Sequence, residues 1–192
     1  MTDPDRKLAR KARSGDRRAL EQLYERHRSR LFGFLIKIMA GKPLADDVFQ
    51  EVWVKVLQGI GSYEVRVGTF RGWLMRIASN AAIDRLRREA LRAGPELDAP
   101  VGDTGQSAVD LLPSAQPGPD RQGASSMLRA ELGKALGGLS VQQRAAVLLR
   151  HQQGLNYGEL AGALGVPEGT AKTLVHRGVL RLRESLAEWA DD

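Results

Sequence analysis

The sequence predicts an all-α protein of two small helical domains joined by a flexible linker, and three observations support this. Apolar residues recur at three- and four-residue intervals before and after the linker, as they do in amphipathic helices. Residues 90–126 are rich in Pro, Gly, Ser, Asp and Ala, a composition that cannot build a packed core. Residues 155–177 have the pattern of two short helices joined by a tight turn. The predicted segments are therefore 1–89, 90–126 and 127–192.

Composition and charge favour a polyanionic partner. The chain has 192 residues, 42% of them hydrophobic, which is enough for two small cores. The net charge is +6 and the isoelectric point is about 10.0. Residues 1–89 hold 19 Lys and Arg against 11 Asp and Glu, a net charge of +8, whereas residues 90–126 hold 2 against 5 and residues 127–192 hold 8 against 7. The first segment therefore carries most of the electrostatic attraction.

Several classes of function find no support in the sequence. There is no Cys, so we expect no disulfide and no thiolate metal site. The three His residues are scattered, and there is no Gly-rich phosphate loop, so we expect no metal, cofactor, small-molecule substrate or enzymatic activity. No apolar run approaches the roughly 18 residues of a membrane span. The N-terminus lacks the apolar core of a signal peptide, so a cytoplasmic protein without membrane insertion is expected.

The first domain should open with one long helix. Residues 1–13 are polar and mostly basic, and we interpret them as a frayed lead-in. Asp16 is a suitable N-cap for an amphipathic helix that reaches Ile38. His27 lies on the apolar stripe of that helix, which indicates a packed histidine and not a catalytic one.

The next helix, over residues 44–58, carries an unusual face. Asp47, Gln50 and Glu51 lie at positions i, i+3 and i+4, so they share one exposed side beside Trp53. An acidic and amide-bearing face is unsuited to DNA and well suited to a basic protein surface. A purely solvated face fits the same spacing equally well.

The third helix of this domain follows a loop from Gly59 to Gly68 and begins after Thr69, a suitable cap. It contains five Arg residues, a composition typical of contact with a nucleic-acid backbone. Asn80 has the side chain to read a base edge. Trp73 is interpreted as a core residue, although Trp73 or Tyr63 beside an exposed base remains an alternative.

The second domain should begin with two helices, the first over residues 127–139. Ser140 and Gln143 form a capping box that starts the second, which runs to about His151.

A helix-turn-helix follows. Asn156 and Glu159 form another capping box, Gly165 suits the left-handed end of a helix, and Pro167 suits the first turn of the next. The second helix opens with small or hydrogen-bonding residues that are able to reach base edges in a major groove. The alternative is an ordinary helical hairpin with a Gly-x-Pro turn.

Two stretches together resemble the extracytoplasmic-function (ECF) sigma factors, the smallest class of bacterial transcription initiation factors. Residues 19–89, with ADDVFQEVWVKVL and TFRGWLMRIASNAAIDRLRR, are similar to region 2 of that family. Residues 132–186, with LNYGELAGALGVPEGTAKTLVHRG, are similar to region 4. The resemblance implies a promoter-specificity subunit with core RNA polymerase, promoter DNA and an anti-sigma factor as partners.

The resemblance also implies three sets of contact residues. The set for the coiled coil of the polymerase's largest subunit is Asp47, Gln50, Glu51 and Trp53. The set that melts and reads the −10 element is Tyr63, Arg71, Arg76, Asn80, Asp84, Arg85, Arg87 and Arg88. The set that reads the −35 element is Glu168, Gly169, Thr170, Lys172, Thr173, His176 and Arg177. Region 4 would in addition dock on the polymerase flap, and the Gly59–Gly68 loop would hold a flipped base.

Two departures from the family pattern lie in the recognition helix. Leu174 stands where many members have Arg, and Gly178-Val179 replaces a later Ala-Arg pair. One phosphate or base contact is therefore expected to be missing. Two rival interpretations remain: a stand-alone helix-turn-helix regulator that needs no polymerase, and a degenerate homologue that acts as a protein adaptor.

Overall fold

The described residues form eight α-helices with two short irregular helical turns. The structure is a computed structural model, and it describes residues 5–40, 44–64, 68–93 and 119–190. The helices are α1 (Arg6–Arg13), α2 (Arg17–Ile38), α3 (Ala45–Gly59), α4 (Phe70–Ala93), α5 (Pro119–Gly137), α6 (Val141–Val147), α7 (Tyr157–Leu164) and α8 (Glu168–Ala190). A 3-10 turn at Ile60–Ser62 follows α3, and a π-helical turn at Leu148–Gln152 follows α6. All regular structure within these ranges is helical, so the all-α prediction is confirmed.

The predicted caps hold the helix ends. The Asp16 carboxylate accepts from the Ala19 N–H at 3.1 Å, and α2 begins there. Thr69 Oγ1 accepts from the Gly72 N–H at 3.0 Å at the start of α4. Full capping boxes open α6 at Ser140 and α7 at Asn156. Each cap satisfies N–H groups that a helix cannot pair internally, which fixes where the helix begins.

The N-terminal segment is ordered, so the prediction of a frayed lead-in is wrong for the residues from Asp5 onward. Ala9 and Ala12 of α1 are buried. The buried Asp5 carboxylate accepts from Arg26 Nη1 at 2.8 Å and lies 2.7 Å from His27 Nε2. His27 is indeed packed, as predicted. The sequence did not reveal its partner, because Asp5 and His27 are 22 positions apart.

The boundaries of the predicted linker differ from the observed helices. Helix α4 continues to Ala93, and α5 already begins at Pro119, where a proline suits the first helical position. Residues 90–93 and 119–126 of the predicted linker are therefore helical. The rest of the predicted linker, residues 94–118, lies outside the described residues.

The two helical domains pack against each other, which we call the closed arrangement. The buried Arg144 of α6 donates through Nη1 to the Ile38 carbonyl of α2 at 2.9 Å, and through Nη2 to the carbonyls of Gly137 at 2.8 Å and Leu139 at 3.1 Å. Burial lowers the pKa of Arg144 below its usual value. Between α4 and α7, Thr69 Oγ1 donates to Glu159 Oε1 at 2.8 Å. These contacts join the end of α2 and the start of α4 to the second domain.

Candidate nucleic-acid interface

The recognition face of α8 is open to solvent. We use that name for the seven residues predicted to read the −35 element, all of which are exposed in the N-terminal half of α8. Lys172 Nζ lies 2.9 Å from Glu168 Oε1, and Thr173 Oγ1 donates to the Gly169 carbonyl at 3.0 Å. The exposed ion pair is worth little, so Lys172 is free to exchange Glu168 for a phosphate. The side chains present hydrogen-bonding groups and positive charge on one surface.

The opposite side of α8 holds the helix in the fold. Ala171 and Val175 are buried. A Cβ at Gly178 would lie 2.6 Å from Val147 Cγ2, so only glycine allows α8 to approach α6 this closely. The departure at Gly178 was interpreted from sequence as a missing DNA contact. The structure gives it a different reason, because this position is buried between two helices.

The −10 face of α4, which we define as Arg76, Asn80, Asp84, Arg87 and Arg88, is exposed along the helix. Arg88 Nε donates to the Asp84 carbonyl at 3.3 Å, and Arg87 Nη1 lies 3.9 Å from Asp84 Oδ1. Both are weak exposed contacts, so these guanidinium groups remain available to phosphates.

Two other arginines predicted for −10 contact are placed differently. Arg71 is half-buried near the start of α4. Arg85 is also half-buried, with Nη2 3.8 Å from Asp47 Oδ2 on α3 and Nε 3.7 Å from Glu89 Oε1. Arg85 therefore links α4 to α3 and is less accessible to DNA than its neighbours.

Part of the −10 face is covered by the second domain. A cavity of about 70 Å³ lies between the two domains, lined from α4 by Asn80, Ile83, Asp84 and Arg87 and from the second domain by Gln142, Leu164, Val166 and Leu174. That volume holds about two water molecules. A DNA strand cannot enter it. The Asp84 and Arg87 side chains remain 61% and 64% exposed, so only the sides that face the second domain need domain separation to reach DNA. Leu174, the other departure in α8, is half-buried here.

The acidic face of α3, defined as Asp47, Gln50 and Glu51, lies on the surface as predicted from its spacing. Asp47 and Gln50 are exposed, and Glu51 is partly exposed with Oε1 2.6 Å from Lys55 Nζ. Exposed Val54 and Leu57 are on the same helix. The helix thus offers carboxylates together with apolar surface.

Trp53 and Tyr63 are core residues, which corrects the contacts predicted for them. Trp53 is 8% exposed and packs against Tyr24 with ring centroids 4.8 Å apart. Tyr63 is 3% exposed, packs against Trp73 at 5.2 Å, and its hydroxyl donates to the Gly68 carbonyl at 3.3 Å. The sequence places apolar and aromatic residues on two neighbouring faces of α3, and this pattern alone does not show which face packs into the core. Neither ring is presented to polymerase or to a base in the closed arrangement.

The described residues form neither a metal-binding cluster nor a membrane-spanning helix. These residues contain no group of three or more His, Cys, Asp or Glu side chains placed to hold a metal ion. Within the same ranges, each helix is too short or too polar to cross a bilayer.

Two family models match the chain, and together they cover both domains. Sigma-70 region 2 matches residues 23–92, and Sigma-70, region 4 matches residues 129–182. The first match contains α3 and α4, and the second contains the helix-turn-helix.

Similar proteins align over nearly the whole chain. The sigma factor CarQ of Myxococcus xanthus is 37% identical over 177 residues, covering 92% of this chain and 94% of CarQ. The ECF sigma factor SigE of Mycolicibacterium smegmatis is 32% identical over 182 residues, covering 93% of this chain and 67% of SigE.

Two solved structures share the fold. CnrH, in complex with the cytosolic domain of CnrY, has a TM-score of 0.67 at 24% identity and covers 97% of this chain and 99% of its own. The sigma factor RpoE, in complex with the anti-sigma factor NepR from Bartonella quintana, has a TM-score of 0.68 at 24% identity, with coverages of 87% and 96%.

Proposed function

This chain belongs to the ECF family of RNA polymerase sigma factors, and we propose that α3, α4 and α8 supply its contacts to core polymerase, the −10 element and the −35 element. A sigma factor binds core RNA polymerase and directs it to promoters, and this is the function of the chain. The polymerase carries out the chemistry. We propose which residues make each contact and which kind of partner controls the chain.

The observation that carries the proposal is the placement of the recognition face. Seven residues, six of them with hydrogen-bonding or charged side chains, are exposed together in the N-terminal half of the second helix of a helix-turn-helix. In this motif, that end enters the major groove. We assign base reading to Thr173 and His176, and phosphate contact to Lys172 and Arg177.

The −10 face supplies the second DNA contact. Arg76, Arg87 and Arg88 offer guanidinium groups to the phosphates, and Asn80 offers an amide that pairs with a base edge. Because Tyr63 is buried and Arg71 and Arg85 are half-buried, we leave these three out of this set. The resemblance assigns base holding to the Gly59–Gly68 loop, of which residues 65–67 lie outside the described residues.

The acidic face of α3 is proposed to bind the basic coiled coil of the polymerase's largest subunit, with the second domain docking on the flap. Asp47 and Glu51 already contact cations of this chain, Arg85 and Lys55, at 3.8 Å and 2.6 Å. Both pairs are partly exposed and the first is long, so a basic partner would replace them at little cost.

We further propose that an anti-sigma factor controls the chain by holding the closed arrangement. The solved structure of RpoE is of a complex with an anti-sigma factor, and it shares the fold over 87% of this chain. A partner that binds both domains at once would keep the covered part of the −10 face out of reach of DNA. The site of action is the cytoplasm, where core polymerase works.

Run-off transcription with purified core polymerase on a genomic promoter library tests this function. We expect a stable complex and discrete transcripts, and we expect Asp47→Lys to abolish complex formation without loss of helicity. A stand-alone regulator would instead bind duplex DNA with the same affinity in the presence and absence of core polymerase, and would yield no transcripts.

A further inference from the structure

Helix α1 carries a dense positive surface. Five of its eight residues are cationic and exposed, and we call them the α1 cationic face: Arg6, Lys7, Arg10, Lys11 and Arg13. Helix α1 contains no Asp or Glu. None of the ion pairs found among the described residues includes any of the five.

This surface is rigidly placed. Ala9 and Ala12 are buried, and the buried Asp5, just before the helix, contacts Arg26 and His27 of α2. Helix α1 also contacts the 3-10 turn at Ile60–Ser62. That turn lies in the Gly59–Gly68 loop, which the family resemblance assigns to the −10 element. Helix α1, which carries the cationic face, therefore neighbours the loop that the resemblance assigns to the −10 element.

Helix stability alone does not account for these charges. Cations in the last turn of a helix interact favourably with its dipole, which accounts for part of the set. Arg6 and Arg10, and likewise Lys7 and Lys11, are like-charged pairs at i and i+4, an arrangement that destabilises a helix. The two pairs therefore lower the stability of the helix. Binding of an anionic ligand is a role that would explain why the concentrated positive charge is kept.

We propose that the α1 cationic face binds backbone phosphates of promoter DNA next to the −10 element. An eight-residue helix is about 12 Å long. Each strand of B-DNA carries one phosphate per about 3.4 Å of the DNA helix axis, so α1 aligned with that axis spans about three or four of them. Contact of this kind adds affinity without sequence preference. The inference rests on the proposed function, because it takes promoter DNA as the ligand.

The test compares two double variants of the full chain, assembled with core polymerase, with equal changes of charge. Lys7→Gln with Lys11→Gln removes two charges from α1, and Arg28→Gln with Arg30→Gln removes two exposed charges from α2. Promoter affinity is measured as a function of salt concentration. We expect the α1 variant to lower the slope of log K against log salt by about 1–2 units, at about 0.9 per phosphate contact. The α2 variant should leave the slope unchanged.

A charge-preserving variant and the transcription readout separate the possible outcomes. Lys7→Arg with Lys11→Arg should keep the wild-type slope, which distinguishes charge from folding. Two results would overturn the inference. One is an equal slope of log K against log salt for the two Gln variants. The other is an α1 Gln variant that loses binding to anionic lipid vesicles while its slope for promoter DNA stays unchanged. If the wild-type chain forms the polymerase complex and initiates transcripts while the slope does not move, the inference alone fails. If no complex forms, the proposed function itself fails.

Discussion

The recognition face of α8 and the −10 face of α4 are both proposed to contact DNA, but they differ in how far the closed arrangement exposes them. The seven residues of the recognition face are all exposed. On α4, Asn80, Asp84 and Arg87 line a cavity of about 70 Å³ whose other wall is the second domain. The closed arrangement therefore leaves −35 reading available and requires domain separation for full −10 contact. A residue can thus be exposed to solvent and still have one side covered by a neighbouring domain.

Substitution of Arg144 should have the largest effect on the stability of the closed arrangement. Its buried guanidinium binds the Ile38 carbonyl of the first domain and the Gly137 and Leu139 carbonyls of its own domain. Arg144→Ala leaves those buried carbonyls unpaired, and we expect a loss of about 3 kcal/mol in the free energy of unfolding. Urea denaturation measures it, with the exposed Arg181→Ala as the control. A change below about 0.5 kcal/mol for Arg144→Ala would show that the buried guanidinium does not hold the domains together.

Substitution of Gly178 should have the next largest effect on the free energy of unfolding, because this residue allows α8 to pack closely against α6. Gly178→Ala places a Cβ 2.6 Å from Val147 Cγ2, and we expect a loss of about 1–3 kcal/mol. Gly162 in α7 is the matched control, since a Cβ there meets nothing within 4 Å. Gly162→Ala should stabilise the chain by about 0.5–1 kcal/mol. Thermal unfolding of both variants should shift in opposite directions, and shifts of the same sign would contradict the close approach of the two helices.

The hydrogen bond between Thr69, at the start of α4, and Glu159 should make a smaller contribution to stability. Each side chain also caps its own helix, so single variants mix two effects. A double-mutant cycle with Thr69→Ala and Glu159→Gln isolates the pair, with an expected coupling of about 0.5–1.5 kcal/mol. Thr69→Ser should retain it. Additive single effects would mean that this contact contributes nothing to the closed arrangement.

Substitution of Lys37 should have the smallest effect on stability, and it should stabilise the protein where the substitutions of Arg144 and Gly178 destabilise it. Burial, and after it the nearby Arg129 of α5, lowers the pKa of Lys37 below its ordinary value of 10.5. The charged amine therefore opposes folding while it stays protonated, and this penalty fades as the pH rises through the lowered pKa toward 10.5. Lys37→Gln should raise the melting temperature by about 1–3 °C at neutral pH, with a smaller gain near pH 10. A gain that grows with pH would contradict this sign.

Local signals in the sequence predicted most helix starts and the turn of the helix-turn-helix. Asn156 with Glu159, and Ser140 with Gln143, act within one helical turn, so four residues of sequence suffice to predict each capping box. Gly165 adopts the left-handed conformation with φ of +66°, as its position after α7 predicted.

Long-range contacts account for what the sequence did not reveal. Arg144 and Ile38 are 106 positions apart, and Thr69 and Glu159 are 90 apart, so no local pattern predicts either pair. Helix α1 left only a weak signal, the apolar spacing of Leu8 and Ala12. The contact residues proposed on α3, α4 and α8 follow from a family resemblance. Burial then separates Trp53 from the other α3 residues, and Tyr63, Arg71 and Arg85 from the other −10 residues.

A reversible cross-link across the cavity tests the central claim most directly. Because the chain has no Cys, Asp84→Cys and Gln142→Cys place thiols on the two walls of the cavity for a short cleavable linker. We expect the cross-linked chain to bind a −35 duplex as well as its uncross-linked form does. In complex with core polymerase it should fail to open the −10 element, and cleavage of the linker should restore transcripts. Full transcription from the cross-linked chain would contradict the requirement for domain separation.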